Sequence, residues 1–479
     1  MNKEVFHKLT DKFKNPVIQA LCLIAEIVVL IVAFVLLQNG TGVDYDEAFT
    51  WDVVANNGLG GIIAATAADV HPPLYYLICK FAFCVFGRSL KVLLWFSVFP
   101  VILGMILSSV FIWKNWGFSV AFLFNLIYGF APFILHYNLN LRMYSWMAFF
   151  VLGVVLVTYE LMNNGSGKLF ILLYLFSIMS VYTQYFAVLP IVICYAWLFF
   201  SFIVSGKRKQ LIYFLTVGAM DVISYLPWLK YGMKNMGIGA GRVSGDYGFY
   251  LEPSVIFKTL FETNLENGDI MAIIISVMAV VLFVLFHKRY KREEKSFLIM
   301  LLCNTVFCWY FSQWLGSLNG HFFAPRYVIY CLVFLWLFIL IVLTRCNLFA
   351  TLFVSLWTVE LCLSSFLVER AYEYETTPLM PQTMEFIRTN ITSDDIIVYD
   401  YAPEFRIIYQ YYMPENEFVF FEDLDPSEMK GSYFWVINLA GAYFSPEETE
   451  EYGLRIEEYP GMGFMGMERF DFWKVTVNE

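Results

Sequence analysis

Eleven apolar runs constrain this chain more than any other feature, because most approach the roughly 20 residues that carry a helix across a bilayer. They are Val17–Leu37, Leu90–Trp113, Phe118–Leu135, Met143–Leu161, Leu169–Phe186, Ala187–Val204, Leu211–Trp228, Ile270–Phe286, Phe297–Leu315, Arg326–Leu343 and Leu348–Val368. Inside lipid each segment must satisfy its own backbone hydrogen bonds, so such runs fold as helices. Only 15% of the 479 residues are charged, where soluble domains carry about 25%. The expected fold class is an α-helical polytopic membrane protein with a small α/β domain at its C-terminal end.

A further tract, Leu74–Phe86, has only about two-thirds of the length of a span. Parity decides where it lies. If it lies flat, Lys114, Lys168, Lys207-Arg208-Lys209 and His287-Lys288-Arg289-Tyr290-Lys291-Arg292 all fall on the side of Lys3, Lys8, Lys12 and Lys14. Basic loops mark the cytoplasmic side. The expected topology therefore has eleven spans, the amino terminus inside, and both the first loop and the C-terminal domain outside. The first run is too long for a signal-peptide core, and no small-residue cleavage site follows it, so it is expected to stay as a span.

After Val368 the pattern changes. Residues 369–479 hold 23 acids and 7 bases, whereas the rest holds 18 acids and 24 bases. A basic membrane part beside an acidic outer domain fits loops that face anionic lipid, and nothing here points to nucleic acid. The expected domains are 1–368, transmembrane, and 369–479, extracytoplasmic. Helices are predicted over Pro381–Asn390 and Ala402–Tyr412. Strands are predicted over Ile396–Tyr399, Phe418–Phe421, Tyr433–Asn438, Arg455–Tyr459 and Phe470–Val477. Lys230 to Asp269 reads as a long Gly-rich loop, either a lid or without fixed structure. The nine cysteines lie in or beside apolar tracts, with no metal-ligand spacing and no disulfide framework.

Four stretches on the expected outer side carry the chemistry. The first loop opens with Asp44-Tyr45-Asp46-Glu47. Adjacent side chains diverge on either a helix or a strand, so Asp46 and Glu47 are not a facing pair. One carboxylate can act as a base on a hydroxyl while the other orients it or binds a cation. His71-Pro72-Pro73-Leu74-Tyr75-Tyr76 reads as an extended entry into a helix. His71 lies near Asp69, and the two are candidates for a divalent metal without a strong spacing signature. Arg142 and Tyr144, and then Arg326 and Tyr327, each set an arginine beside a tyrosine at the outer mouth of a span. A guanidinium there can grip phosphate oxygens in a bidentate way, or it can snorkel. Tyr182-Thr183-Gln184-Tyr185 lies at the same level.

Together, Tyr-Asp-Glu-Ala at 45–48, His-Pro-Pro-Leu-Tyr-Tyr at 71–76, Leu-Arg-Met-Tyr-Ser at 141–145 and Pro-Arg-Tyr at 325–327 resemble the GT-C membrane glycosyltransferases. The likeness is to the protein-mannosyltransferase-like branch and its bacterial relatives, which include the aminoarabinose transferases, and it covers roughly residues 17–345. Asn140 and Leu141 stand where many relatives have an acidic or small residue, and Gln184 stands where many have histidine. The resemblance implies a bacterial cell membrane and a polyprenyl phosphate sugar as donor. It implies Asp46 as base with Glu47 beside it, and Arg142, Tyr144, Arg326 and Tyr327 around the donor phosphate. It leaves Asp69, His71, Tyr75, Gln184 and Tyr185 to support the acceptor or the loop. The expected activity is inverting transfer of a sugar to an acceptor hydroxyl, and the acceptor is a protein, cell-wall polymer, lipid or glycan. A transporter or flippase of lipid-linked glycans, and a glycan polymerase or ligase, are the alternative readings. Metal dependence stays unknown at this level.

Overall fold

The computed structural model describes residues 15–37, 43–163, 165–242, 268–318, 323–376, 378–429, 431–465 and 468–478. The basic residues Lys3, Lys8, Lys12 and Lys14, residues 243–267 of the stretch expected as a loop, and His321 with Phe322 lie outside them. The chain divides into two compact units: the described residues of Met1–Phe34 with Gly58–Val368, and those of Val35–Asn57 with Glu369–Glu479. The second unit thus takes in a piece of the first loop.

The first unit is a bundle of apolar helices, and the chain is a multi-pass membrane protein. Eight helices among the described residues are long and apolar enough to cross a membrane, and a bent pair, Phe118–Phe130 with Pro132–Leu139, makes a ninth candidate. Gly167–Thr183 and Tyr330–Cys346 are apolar helices of 17 residues. All eleven runs are therefore helical, and the fold class is the one expected. The 54° bend of the pair has a local cause. Pro132 disfavours a helical conformation in the residue before it, and Ala131 sits at φ −61°, ψ 144°. One expectation fails: the helix that begins at Arg208 does not stop near Trp228 but runs on to Arg242. Gly237, Gly239 and Gly241 lower helix propensity without ending it.

Tyr144–Asn163 is buried on every side, as are the first fourteen residues of Tyr330–Cys346. The other spans carry the exposed leucine, isoleucine, valine and phenylalanine faces that lipid covers. Small residues let helices approach closely. A Cβ on Gly104 would lie 2.2 Å from the Tyr128 ring, and one on Gly153 would lie 2.5 Å from Phe176. The basic loops share one end of the bundle. Lys114 Nζ reaches both Glu160 oxygens at 2.9 and 2.8 Å, and Lys207 Nζ donates to the Met162 carbonyl at 2.8 Å. Glu294 accepts from Trp116 Nε1 at 2.9 Å and pairs with Arg345.

The second unit is built on a mixed five-stranded sheet in the order β2-β1-β3-β5-β4. Its strands are β1 Ile396–Tyr399, β2 Glu417–Phe420, β3 Tyr433–Asn438, β4 Leu454–Met465 and β5 Glu468–Val477. β1 runs parallel to β2 and β3, whereas β5 is antiparallel to β3 and β4. Val398, Phe434, Val436, Phe444, Leu454 and Val475 form its core. Leu379–Asn390 covers the sheet through Phe386, whose ring stacks on Phe472 at 4.8 Å. The predicted helix over Ala402–Tyr412 resolves into a 3₁₀ turn, Pro403–Phe405, and a short helix, Arg406–Tyr412.

Candidate active site

Asp46 lies in the first turn of the helix Tyr45–Asn56, which belongs to the second unit. Asp44 is the N-cap. Its Oδ1 accepts the Glu47 backbone N–H at 2.7 Å, and Glu47 Oε2 accepts the Asp44 N–H at 3.3 Å. This is a reciprocal capping box. It gives the Glu47 carboxylate a local structural partner that a purely catalytic reading omits. Asp46 is half-buried, next to the helix terminus whose partial positive charge stabilises carboxylates. Its carbonyl accepts the Thr50 hydroxyl at 3.0 Å.

In the first unit three of the singled-out residues meet directly. His71 Nδ1 lies 3.0 Å from Asp69 Oδ2. Arg142 Nη2 lies 3.2 Å from His71 Nε2 and 3.5 Å from Nδ1, and these similar distances set the amino group over the ring. All three side chains are buried: Asp69 and His71 are 7% exposed and Arg142 is 2%. Burial pushes the Asp69 carboxyl up, but the hydrogen bond and charge of His71, the Val70 N–H and the Arg142 charge outweigh it and hold the group below its ordinary value. Pro72 and Pro73 are buried too. They restrict the backbone of the residues before them, and Pro73, at φ −80° and ψ −20°, leads into the helix Leu74–Phe86.

A second chain of contacts runs through aromatic rings. Tyr137 meets Tyr144 edge-on at 5.3 Å, Tyr144 lies 6.4 Å from Tyr327, and Tyr327 stacks on Phe186 at 5.4 Å. The Arg326 guanidinium carbon is 5.7 Å from the Tyr327 ring centre. Gln184 is buried and caps the next turn, with Oε1 accepting the Tyr185 N–H at 2.7 Å. Tyr75 is fully buried, and its ring meets Tyr76 edge-on at 5.4 Å.

Sequence reasoning missed three members of this region. The Tyr185 hydroxyl accepts from Trp228 Nε1 and from Asn235 Nδ2, both at 3.0 Å, and Asn235 Nδ2 also donates to the Thr66 carbonyl at 3.1 Å. Asn235 lay in what reads as a loop, so nothing flagged it. Its helical position, about two turns beyond Trp228, puts both on one face, where they reach one hydroxyl. Below Tyr185 opens a cavity of about 1080 Å³, walled by Gly167–Thr183, Tyr185–Val204 and Arg208–Arg242 and almost wholly apolar. Ser177, Tyr185, Tyr195, Asp221 and Tyr225 bring polar atoms to its lining, and the Tyr195 hydroxyl donates to Asp221 and lies 3.1 Å from Ser177 Oγ.

Among the described residues no group of three or more His, Cys, Asp or Glu side chains could hold a metal. Asp69 and His71 have a guanidinium as their third neighbour, and a fixed positive charge there opposes a divalent cation.

The fold defines a class: a multi-pass membrane protein with a C-terminal sheet domain. Solved structures of similar fold include two crystal structures of ArnT from Cupriavidus metallidurans. The apo form superposes with a TM-score of 0.59 at 11% identity, over 95% of this chain and 97% of that one. The form bound to undecaprenyl phosphate gives 0.54 at 11% identity, over 94% and 97%. No family model matches the sequence, and no curated protein matches it.

Proposed function

We propose that the protein is a glycosyltransferase that moves a sugar from a polyprenyl phosphate to an acceptor hydroxyl on the outer face of a bacterial cell membrane, with inversion. The observation that carries this reading is the buried Arg142, held by His71 and Asp69 in a fold shared with a protein crystallised with undecaprenyl phosphate. A buried guanidinium with a fixed orientation is a preorganised partner for a phosphate.

In the proposed step Asp46 takes the acceptor proton as the acceptor oxygen bonds to the anomeric carbon. The bond from that carbon to the phosphate oxygen breaks on the opposite face, and its electron pair leaves with the polyprenyl phosphate. Arg142 and Arg326 stabilise the charge that develops there, at a few kcal/mol for each preorganised donor. Tyr144 and Tyr327 flank the phosphate. Asp69 and His71 hold Arg142, Gln184 and Tyr185 support the same rim, and the 1080 Å³ cavity below Tyr185 takes prenyl chain. Glu47 acts chiefly by holding the turn that carries Asp46.

The transporter reading would need polar groups at mid-membrane depth that serve a pathway. Glu26 and Asp221 instead bond across to neighbouring helices, Glu26 to Asn125 Nδ2 at 3.2 Å and Asp221 to Tyr195, as helix-packing groups do. The test is turnover by the purified protein given undecaprenyl phosphate carrying aminoarabinose, mannose, glucose or galactose, together with extracted envelope acceptors. Release of undecaprenyl phosphate from one donor is expected. Movement of intact donor across a liposome membrane without release would favour the transporter.

A further inference from the structure

The helix that carries Asp46 is built into the C-terminal domain. Three contacts tie it there, each to the segment 405–412. The Val43 N–H donates to the Tyr412 hydroxyl at 2.5 Å. The Tyr45 ring stacks on Phe405 at 5.5 Å and 19°. Trp51 meets Tyr411 edge-on at 5.3 Å. Tyr45 and Trp51 stand six residues apart, about 120° around the helix axis, so the contacts span its first two turns and are not confined to its tip. Burial and the Glu47 charge both push the Tyr411 and Tyr412 phenols above their ordinary value, which places that carboxylate beside both. The mount continues into the sheet: the Tyr409 ring packs on Tyr399 of β1 at 5.5 Å and on Phe418 of β2 at 6.4 Å. Val43 is 1% exposed, so its N–H needs this acceptor. A buried donor left unpaired costs far more than an exposed one.

We infer that the C-terminal domain is the mount of the carboxylate helix, with Tyr412 as a positioning residue for Asp46 and Phe405 and Tyr411 as its support. This rests on the proposed role of Asp46. It assigns the domain a part in the transfer step, where acceptor binding or recruitment of a partner would leave it outside that step. Residues more than 350 positions apart in sequence then set one catalytic geometry.

The test uses the full chain in lipid nanodiscs, comparing wild type, Tyr412→Phe, Phe405→Ala and Asp46→Asn. Two readouts are taken: amide hydrogen exchange over residues 43–53, and release of undecaprenyl phosphate from the sugar-charged donors named above. Tyr412→Phe removes one hydroxyl and keeps the ring. It is expected to raise exchange in this segment about fivefold, the scale of one lost hydrogen bond. It is also expected to lower kcat about tenfold with the donor KM within about twofold, as a misplaced but intact base would. Phe405→Ala should move both readouts the same way. Unchanged exchange in both variants would overturn the mount. Raised exchange with unchanged kcat, while Asp46→Asn is inactive, would overturn the positioning role. Full turnover by Asp46→Asn would remove the base assignment, and the exchange readout alone would then decide the mount.

Discussion

Arg142 is a cation almost without access to water, and the His71 imidazole and the Asp69 carboxylate lie beside it. Removing one member of such a set leaves another charge buried and uncompensated, at a cost of about 3 kcal/mol or more. Arg142→Gln should therefore lower thermal stability in detergent as well as turnover, whereas a residue that only gripped a ligand would lower turnover alone. Asp69 gives the pH dependence. Its folded value lies below the ordinary 3.8, so its ionised form favours the fold. That contribution is complete above about 3.8 and is lost as pH falls through the lower folded value. Asp69→Asn should be less stable than wild type near neutral pH, and melting curves of the two should converge in acid. A gap that does not narrow at all as pH falls below 3.8 would contradict this. At this scale the sequence pointed to Asp69 with His71, and to Arg142 apart from them, through unusual groups at the ends of apolar runs. It could not join Arg142 to the other two, because 71 positions separate His71 from Arg142 and no local pattern encodes such a contact.

At the scale of elements, helix packing is as specific as the polar contacts. Gly104→Ala would normally favour a helix by up to about 1 kcal/mol. Here the new methyl meets the fully buried Tyr128 ring, so overpacking should win and cost about 1–3 kcal/mol. Shortening the opposing side chain in Gly104→Ala/Tyr128→Leu should recover part of the loss, measured by thermal unfolding, and an additive double variant would count against direct contact. The spans and strands were legible because apolar period and length are local signals. The run to Arg242 was not, since three glycines argue for a loop and only tertiary contacts such as Asn235 to Tyr185 reverse that. The capping box is written openly as Asp44-Tyr45-Asp46-Glu47, in the same four residues that read as a catalytic loop.

For the molecule as a whole, the contacts of Lys114, Lys207, Glu160, Glu294 and Arg345 gather the basic loops at one end of the membrane unit. We assign that end to the cytoplasm on the positive-inside rule. A single cysteine at Lys209 in an otherwise cysteine-free chain should react with an impermeant maleimide only after the inner face is opened, and labelling of intact cells would invert the assignment. The division into a membrane bundle and an α/β tail follows from composition. The grouping of residues 35–57 with the tail was invisible in the sequence, because it depends on pairs such as Val43 with Tyr412. The central claim is that Asp46 is the base of a sugar transfer from a polyprenyl phosphate, and Asp46→Asn tests it most directly. This change keeps the side chain's size and its place in the helix while removing the base. Undecaprenyl phosphate binding and donor turnover should be measured on the same preparation. The account requires binding close to that of wild type with release reduced by about a thousandfold or more, the upper scale of a lost general base. Release within a few fold of wild type would contradict it.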